Sequence, residues 1–250
     1  MKIVTRGNPS ELGKDAGRTA ARCIRQVIEK NGHASVILAT GTSQFETLNH
    51  LIQEDINWGK VTMFHLDEYI GLPESSPAAF RKYLKERFIQ KVAPLHAVYL
   101  VNGEVDPIWE CKRLGEIIKR NPIDIALVGI GENGHLGFND PPANFDTEVP
   151  FIVVDLEEQC RYQQFGEGWF KSIEDVPKQA ITMSIRQIMK SAQIICSVPD
   201  LRKAKAVKEC IENPVSNIFP ASILQTHQDC ICFLDKSSSS LLSNLKSQVH

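Results

Sequence analysis

Residues 123–142 read IDIALVGIGENGHLGFNDPP, and this stretch decides the fold class. An apolar run of strand length comes first, and we expect a strand over residues 123–130. Gly129, Gly131 and Gly134 then match the G-x-G-x-x-G pattern of dinucleotide-binding turns. That pattern requires a helix to open at the third glycine, whereas a further glycine, an asparagine and two prolines follow too closely for one. The sequence therefore predicts a strand that leads into a compact loop.

Short apolar runs alternate with segments of helical periodicity through most of the chain, which is typical of repeated βα units around a largely parallel sheet. Strands are expected at residues 34–39, 61–66, 97–101, 123–130, 151–156, 180–185, 192–198 and 230–234. Helices are expected from an N-cap at Ser10 to Gly32, and at residues 44–53, 77–92, 108–120, 201–212 and 221–226. The predicted fold class is α/β, with three α/β/α layers and a Rossmann-like, largely parallel central sheet. We expect one domain over residues 1–250.

Composition narrows the functional classes. The chain has 28 Lys and Arg against 30 Asp and Glu, so no basic excess neutralises a nucleic-acid backbone and we expect no nucleic-acid partner. No apolar run approaches the roughly 20 residues of a membrane span, and the first residues lack a signal-peptide pattern. We expect a cytoplasmic protein without a membrane partner. The sequence leaves a homo-oligomer open, and the serine run at 236–240 is expected to start a terminal helix or to fray.

The seven cysteines favour neither a disulfide framework nor a zinc site. Their count is odd and no paired Cys-x-x-Cys motif is present, which indicates reduced, mostly buried thiols. Cys230 and Cys232 point to the same face of a predicted strand, where core packing is favoured over a metal site or a redox pair. We therefore expect no metal ion at these cysteines.

The first candidate ligand contacts follow the strand at 34–39. Ligands of open α/β sheets bind outside the carboxyl ends of the strands, so ligand contacts are expected in the segments that follow each strand. Gly41, Thr42 and Ser43 lie between a strand and a helix, where backbone N–H groups and the positive helix end attract phosphate. Ser43 equally fits a plain helix N-cap, and Gly41 fits a plain turn residue.

Two adjacent carboxylates, Asp67 and Glu68, follow the strand at 61–66. Beside an apolar strand end such a pair is costly unless it is solvated, paired or functional. Partial burial raises the pKa of a carboxyl group toward the range of a useful general base. The alternative is a solvated turn in which Glu68 faces water.

The loop after residue 130 and the segment after residue 198 complete the candidate set. His135 is flanked by glycines and has Asn133 and Asp140 within five residues, which is the pattern of an oriented acid/base group. A structural histidine is the alternative. Arg202 and Lys203 open a helix near the same sheet edge, where they could bind an anion or form a solvated basic face. Together these features describe a pocket for a small anion with acid/base groups beside it.

These residues resemble the glucosamine-6-phosphate deaminase (glucosamine-6-phosphate isomerase) family, within the glucosamine-6-phosphate isomerase/6-phosphogluconolactonase superfamily. The resemblance runs from about residue 10 to about residue 235. It rests on Gly41-Thr42-Ser43, LDEYIGLP at 66–73, GIGENGHLGFNDP at 129–141 and Lys203-Ala204. It implies a hydrolytic deamination, without metal or organic cofactor, in which glucosamine 6-phosphate and water give fructose 6-phosphate and ammonia. The implied partner is a phosphorylated amino sugar.

The resemblance also implies roles for individual residues. Asp67 would move a proton between C2 and C1 of the sugar through an enolamine. His135 would open the pyranose ring, with Asn133 and Asp140 as its partners. The phosphate group would be held by the following residues: Gly41, Thr42, Ser43, Lys203 and, by a looser alignment, Arg161.

An active-site lid is implied at approximately residues 157–178. Its two glycines, Gly166 and Gly168, could act as hinges while Trp169 and Phe170 cover the ligand. A packed surface helix is the alternative for this segment.

The sequence departs from the family pattern at Asp140, where the best-known deaminases carry glutamate. Because the side chain is one methylene shorter, we expect it to fall short of His135, which puts the substrate or the rate in question. Asn133 stands where some members carry aspartate. Residues 143–154 lack the serine and basic residues of the allosteric site in regulated hexameric members, so we expect no regulation by an amino-sugar effector.

Three other functions are compatible with this set of residues. The first is deamination or isomerisation of another amino-sugar phosphate, such as galactosamine 6-phosphate. The second is 6-phosphogluconolactonase activity, although that enzyme normally lacks the Asp-Glu-Tyr and Phe-Asn-acid motifs. The third is a non-catalytic sugar-phosphate sensor, which would leave Asp67 and His135 together without a reason.

Overall fold

The computed structural model of the protein describes residues 1–243 and contains ten strands. These are β1 (Lys2–Arg6), β2 (Ala34–Leu38), β3 (Val61–His65), β4 (Asp67–Tyr69), β5 (Ala97–Tyr99), β6 (Ile125–Val128), β7 (Phe151–Asp155), β8 (Gln179–Met183), β9 (Gln193–Val198) and β10 (Cys230–Asp235). Seven of them form a central sheet in the order β1-β10-β9-β6-β2-β3-β5, and every neighbouring pair in it is parallel. This confirms the predicted fold class.

Seven α-helices connect the strands. They are α1 (Pro9–Asn31), α2 (Phe45–Leu51), α3 (Phe80–Arg87), α4 (Pro107–Lys119), α5 (Glu158–Gly166), α6 (Ile185–Met189) and α7 (Ala204–Glu212). Short 3-10 turns occupy Thr42–Gln44, Trp58–Lys60, Ile89–Lys91, Leu201–Lys203 and Pro220–Thr226. The last of these replaces the helix expected at 221–226. No helix within residues 1–243 has the length and apolarity needed to cross a bilayer.

The first helix ends as expected but begins two residues early. Gly32 closes α1 in the left-handed conformation, with φ of 83°. The N-cap is Asn8, whose side chain accepts a hydrogen bond from the Glu11 N–H at 2.9 Å. The prediction of Ser10 as the cap is wrong, because Pro9 is well suited to the first helical position and moves the start of the helix forward.

Helices cover both faces of the central sheet. Along β2, Val36 and Leu38 pack into one hydrophobic cluster and Ile37 into another, as alternation in a strand requires. The seven cysteines are all buried and unpaired, as predicted, and Cys230 and Cys232 belong to one of these clusters. Such continuous burial explains why the strands read as apolar runs.

Three strands form a separate antiparallel sheet that the sequence did not predict. Its order is β4-β8-β7, so the strands expected at 151–156 and 180–185 do not join the central sheet. Strand β4 was missed because Asp67 and Glu68 resemble a solvated turn. Strand β1, at the edge of the central sheet, was missed because it is short and partly exposed.

The chain reverses its winding direction between β2 and β6. Strands β3 and β5 lie beyond β2 on one side, whereas β9, β10 and β1 lie beyond β6 on the other. At such a switch point the loops leave adjacent strands in opposite directions and open a crevice at the carboxyl edge. The segments after Leu38 and after Val128 border this crevice.

The serine run neither continues as a helix nor frays within the described residues. Ser238 and Ser239 are buried, and both hydroxyls bond to the Asp235 carbonyl oxygen, at 3.3 and 2.7 Å. Residues 236–240 therefore form turns against β10. A terminal helix after residue 243 would lie outside the described residues.

Candidate active site

A cleft of about 470 Å³, including its open mouth, lies at the switch point. Residues from five segments line it: the turn after β2, the β3–β4 junction, the start of α3, the loop after β6 and helix α5. The lining side includes Gly41, Ser43, Asp67, Gly131, His135 and Gln164. The structure thus brings together three predicted regions that are separated by more than 20 residues in sequence.

The Gly41 turn joins β2 to α2 and borders the cleft. Gly41 has a φ of 87°, which favours glycine, and it precedes the 3-10 turn Thr42–Gln44. A Cβ atom on Gly129 would lie 2.8 Å from the Ser43 hydroxyl oxygen, so the turn packs directly on the loop after β6. Gly41 and Ser43 line the cleft, whereas Thr42 does not.

Asp67 is the most perturbed acid in the cleft. It is 5% exposed at the start of β4. Burial, and then the neighbouring Glu68, raise the pKa of Asp67 to about 8, while the Phe138 backbone N–H acts in the opposite direction. The group therefore exchanges its proton near neutral pH, as a general base must.

Glu68 is fully buried, which corrects the alternative of a solvated turn. Its carboxylate accepts hydrogen bonds from the backbone N–H groups of Tyr69 (3.0 Å), Phe80 (3.1 Å) and Arg81 (2.8 Å). The Arg81 guanidinium adds a bond through Nε at 3.2 Å. Glu68 therefore anchors β4 to α3 and does not line the cleft, whereas its neighbour Asp67 does.

The His135 ring packs directly against the backbone of Gly131. A Cβ atom on Gly131 would lie 2.2 Å from His135 Nε2, so only glycine leaves room for the ring. Nδ1 lies 3.1 Å from Asp140 Oδ1, although this contact lacks the alignment of a hydrogen bond. The expectation that Asp140 falls short of His135 is wrong, because the loop curls back and brings the shorter carboxylate to the ring.

Asn133 and Asp140 lie behind the histidine rather than in the cleft wall. Asn133 Oδ1 accepts from the His135 backbone N–H at 3.1 Å, and its Nδ2 donates to Asp140 Oδ1 at 3.2 Å. The same amide donates to Glu157 at 2.7 Å, and the Glu157 N–H donates to Asp140 Oδ2 at 2.9 Å. Burial alone would raise the pKa of Asp140, but the His135 ring, and then the Glu157 N–H and the Asn133 amide, hold it below its usual value. The same contacts fix the loop.

The two basic residues before α7 differ. Arg202 is exposed and pairs with Asp200 at 3.0 Å and with Glu132 at 3.5 Å. Lys203 is 4% exposed, and within residues 1–243 no carboxylate lies within 4 Å of its ammonium group. Burial lowers the pKa of Lys203. A buried cation without a close anion carries a desolvation cost, which an anionic ligand beside it would offset.

Helix α5 occupies the first part of residues 157–178, the segment expected to form a lid, where a packed helix was the alternative. Hinge motion at Gly166 and Gly168 and coverage of the ligand stay predictions. Arg161 donates through Nη2 to the carbonyl oxygens of Ile173 (2.7 Å) and Val176 (3.1 Å), so its guanidinium fastens the lid. Its role in phosphate binding stays a prediction. Phe170 packs edge-on against Tyr69 at 5.6 Å instead of lining the cleft.

Several functional candidates escaped sequence reasoning. Gln164 lines the cleft from α5 and accepts a hydrogen bond from the Tyr69 hydroxyl at 2.8 Å. Gln163 accepts from the Glu132 N–H at 2.9 Å and ties the same helix to the histidine loop. Their only sequence signal is a pair of glutamines in a weakly periodic segment. Glu157 gave no signal, because its contacts depend on the tertiary fold.

Comparison with known proteins agrees with this geometry. Residues 7–232 match the family model described as glucosamine-6-phosphate isomerases/6-phosphogluconolactonase. Curated glucosamine-6-phosphate deaminases from Lactobacillus delbrueckii subsp. bulgaricus and Oenococcus oeni are 34% and 37% identical, over 97% and 92% of this chain and 100% and 95% of theirs. The chain belongs to the glucosamine-6-phosphate isomerase/6-phosphogluconolactonase family.

Solved structures of the family share the fold. A monomeric glucosamine-6-phosphate deaminase superimposes with a TM-score of 0.89 at 34% identity, over 96% of this chain and all of the other. The 6-phosphogluconolactonase of Trypanosoma brucei gives a TM-score of 0.80 at 18% identity, over 97% of this chain and 98% of the other. At that identity the second likeness concerns the fold alone.

Proposed function

We propose that the protein is a glucosamine-6-phosphate deaminase, which converts its substrate and water into fructose 6-phosphate and ammonia. One observation carries the proposal: Asp67 and His135 face a single cleft beside a phosphate-loop turn. Full-length identity of 34–37% to curated deaminases supports the same reaction. Because water is consumed, the net reaction is a hydrolytic deamination.

His135 acts first, by opening the pyranose ring. Asp140 faces Nδ1, which leaves Nε2 to take the proton of the C1 hydroxyl and to return a proton to the ring oxygen. Asn133 fixes the backbone of the loop, and Asp140 stabilises the imidazolium that forms in between. Both are positioning residues for His135.

Asp67 then moves the proton between C2 and C1. Its carboxylate takes the C2 proton from the open-chain amino aldehyde, which gives an enolamine, and returns the proton to C1, which leaves an imine at C2. Water adds to C2 and ammonia leaves. Because the pKa of Asp67 is about 8, the group is basic enough to remove a carbon-bound proton and can release it again near neutrality.

The phosphate group supplies binding energy remote from the reacting carbons. Backbone N–H groups of the turn at Gly41, Thr42 and Ser43, together with the Lys203 ammonium, are its proposed ligands. Lys203→Ala should raise KM at least about tenfold, because one charge-assisted hydrogen bond contributes roughly 1.5–3 kcal/mol. The matched control is Lys205→Ala, at an exposed position two residues further along the chain, in the first turn of α7.

We also propose that the protein is cytoplasmic and forms a single domain. Seven unpaired buried cysteines support a reducing compartment, and hence the cytoplasm. Residues of both sheets share one hydrophobic cluster, which supports a single domain. A homo-oligomer stays a prediction, and the solved relative with a TM-score of 0.89 is described as monomeric.

The deciding experiment measures ammonia and fructose 6-phosphate from glucosamine 6-phosphate. Galactosamine 6-phosphate and 6-phosphogluconolactone are assayed in parallel, since other amino sugars and the lactone are the competing substrates. We expect stoichiometric release of both products from the gluco substrate. Asp67→Asn should abolish turnover and retain sugar-phosphate binding, whereas Asp155→Asn, on an exposed position of β7, should have no effect.

Lactone hydrolysis without ammonia release would contradict the deaminase proposal. Equally, Asp67→Asn at the wild-type rate would show that the base is another group. Binding of glucosamine 6-phosphate without turnover of any of the three substrates would favour a sensor.

A further inference from the structure

Three potential metal ligands meet behind the candidate active site. His135 and Asp140 belong to the loop after β6, and Cys160 belongs to α5, twenty residues further along the chain. Their ligand atoms all lie within 4.8 Å of one another. The sequence did not predict this cluster, because no short spacing motif connects a lid cysteine to the histidine loop.

The cluster is buried and incompletely satisfied. The side chains of His135 and Asp140 are 10% and 7% exposed, and Cys160 is 1% exposed. Nδ1 of His135 has no hydrogen-bond partner although it is shielded from solvent. A buried polar atom without a partner is uncommon and carries a free-energy cost, which a ligand at this point would remove.

The donor set discriminates between cations. Imidazole nitrogen, thiolate sulfur and one carboxylate oxygen suit Zn²⁺, whereas Mg²⁺ and Ca²⁺ require oxygen ligands. Tetrahedral zinc separates its ligand atoms by about 3.5 Å. Nδ1 and Asp140 Oδ1 are 3.1 Å apart, so only Cys160 has to approach, by up to about 1.3 Å. A fourth position stays open to water.

We propose that His135, Asp140 and Cys160 form an inhibitory zinc site. On binding, Cys160 gives its thiol proton to solvent and coordinates as thiolate, and Nδ1 coordinates as the neutral imidazole. The metal links the lid helix to the catalytic loop through one ligand from the former and two from the latter. Because the metal coordinates both His135 and Asp140, the histidine can no longer transfer the protons of ring opening, and substrate turnover stops.

The binding of the metal is tested without reference to turnover. Co²⁺ substitutes for Zn²⁺ and is visible, because tetrahedral cobalt gives strong visible bands and a cobalt–thiolate bond gives a near-ultraviolet charge-transfer band. We expect both bands in the wild type, displacement by Zn²⁺ and no displacement by Mg²⁺. Cys160→Ser, which preserves the volume, and Cys160→Ala should both lose the thiolate band. Cys111→Ala, which removes another buried cysteine on α4, should retain it.

Inhibition rests on the proposed function and is measured separately. Zn²⁺ should inhibit deaminase turnover, and a chelator should restore it. In Cys160→Ala the inhibiting zinc concentration should rise at least about tenfold while turnover without metal is retained. Equal zinc sensitivity in Cys160→Ala and wild type would overturn the proposal, and so would a cobalt spectrum without the thiolate band. If no deaminase activity is found, the proposed function fails, and the cobalt spectrum still decides the metal site.

Discussion

The imidazole of His135 lies in a space that exists only because residue 131 has no side chain. A Cβ atom there would be 2.2 Å from Nε2, far below any contact that real Cβ atoms make. The G-x-G-x-x-G spacing of this loop resembles a dinucleotide-binding pattern. Its second glycine, Gly131, instead makes room for the histidine ring. Its first glycine, Gly129, in turn admits the Ser43 hydroxyl.

Gly131→Ala should therefore remove activity and leave the fold intact. The ring has to move by about 1 Å, and displacement of a catalytic group on this scale costs about 100-fold in rate. We expect kcat to fall by that factor while the circular dichroism spectrum is unchanged. Gly166→Ala is the control, because its Cβ meets no atom within 4 Å. Wild-type kcat in Gly131→Ala would show that the ring tolerates the shift and that its position is not critical.

The pH dependence of catalysis should report Asp67. Because the pKa of this carboxyl group is raised to about 8, most of the free enzyme holds the base in its protonated, inactive form at pH 7. We expect log kcat/KM to rise with unit slope below pH 8 and to level off above it. Burial lowers the pKa of Lys203, so a decline at alkaline pH follows when the phosphate ligand loses its charge. A profile that is flat from pH 5 to pH 8 would exclude Asp67 as the base.

At the scale of elements, the buried pair Glu68 and Arg81 connects β4 to α3. Arg81 also donates to Asn102 Oδ1 at 2.8 Å and to the Leu72 carbonyl oxygen at 3.0 Å. It therefore organises the chain on both sides of β4. This frame holds the strand that carries Asp67, so the structural acid Glu68 lies directly next to the proposed base in the sequence.

Loss of the Arg81 guanidinium should destabilise the fold strongly. Arg81→Met leaves the Glu68 carboxylate buried without its cation, and breaking such a pair typically costs about 3–5 kcal/mol. Urea unfolding should show this loss, whereas Lys82→Met, on a partly exposed neighbour, should change stability by less than about 0.5 kcal/mol. Wild-type stability in Arg81→Met would show that the three backbone N–H groups satisfy the carboxylate without the cation.

Elements differed in how well the sequence revealed them. Strands β2, β3, β6, β9 and β10 were predictable within one or two residues because they are buried on both faces and therefore read as apolar runs. Helix α5 was predicted only as the alternative to a lid, because its buried face includes two glutamines, Gln163 and Gln164, whose hydrogen bonds lie in the tertiary structure. Polar residues that are buried for such contacts carry no periodic signal.

For the whole molecule, the order of strands places residues that are far apart in sequence into one crevice. The sequence predicted which segments follow strands, and Asp67, His135 and the Gly41 turn do meet there. It did not predict that Asp140 reaches His135, because the curl of the loop depends on the Asn133 and Glu157 contacts. The lid helix also brings Cys160 to the histidine, a juxtaposition set by the fold alone.

The raised pKa of Asp67 should lower the free energy of unfolding of the whole protein as pH rises. The pKa of Asp67 is about 8 in the folded protein and close to 3.9 in the unfolded chain, so between these values only the folded state holds the proton. Stability therefore falls as pH rises from about 4 to 8, and the loss is complete above the folded pKa. Asp67→Asn removes this term without a large change in volume.

We expect Asp67→Asn to unfold at a higher temperature than the wild type at pH 8.5, by at least about 2–4 °C for each kcal/mol recovered. The difference should shrink as pH falls and vanish below about pH 4, where the wild-type carboxyl group is protonated in both states. Asp155→Asn, with its exposed carboxylate, should show no such pH-dependent gain. Calorimetric scans across this pH range decide the matter: a constant offset would assign the stabilisation to packing, whereas an offset that grows with pH identifies a carboxylate that the fold holds at the expense of its own stability.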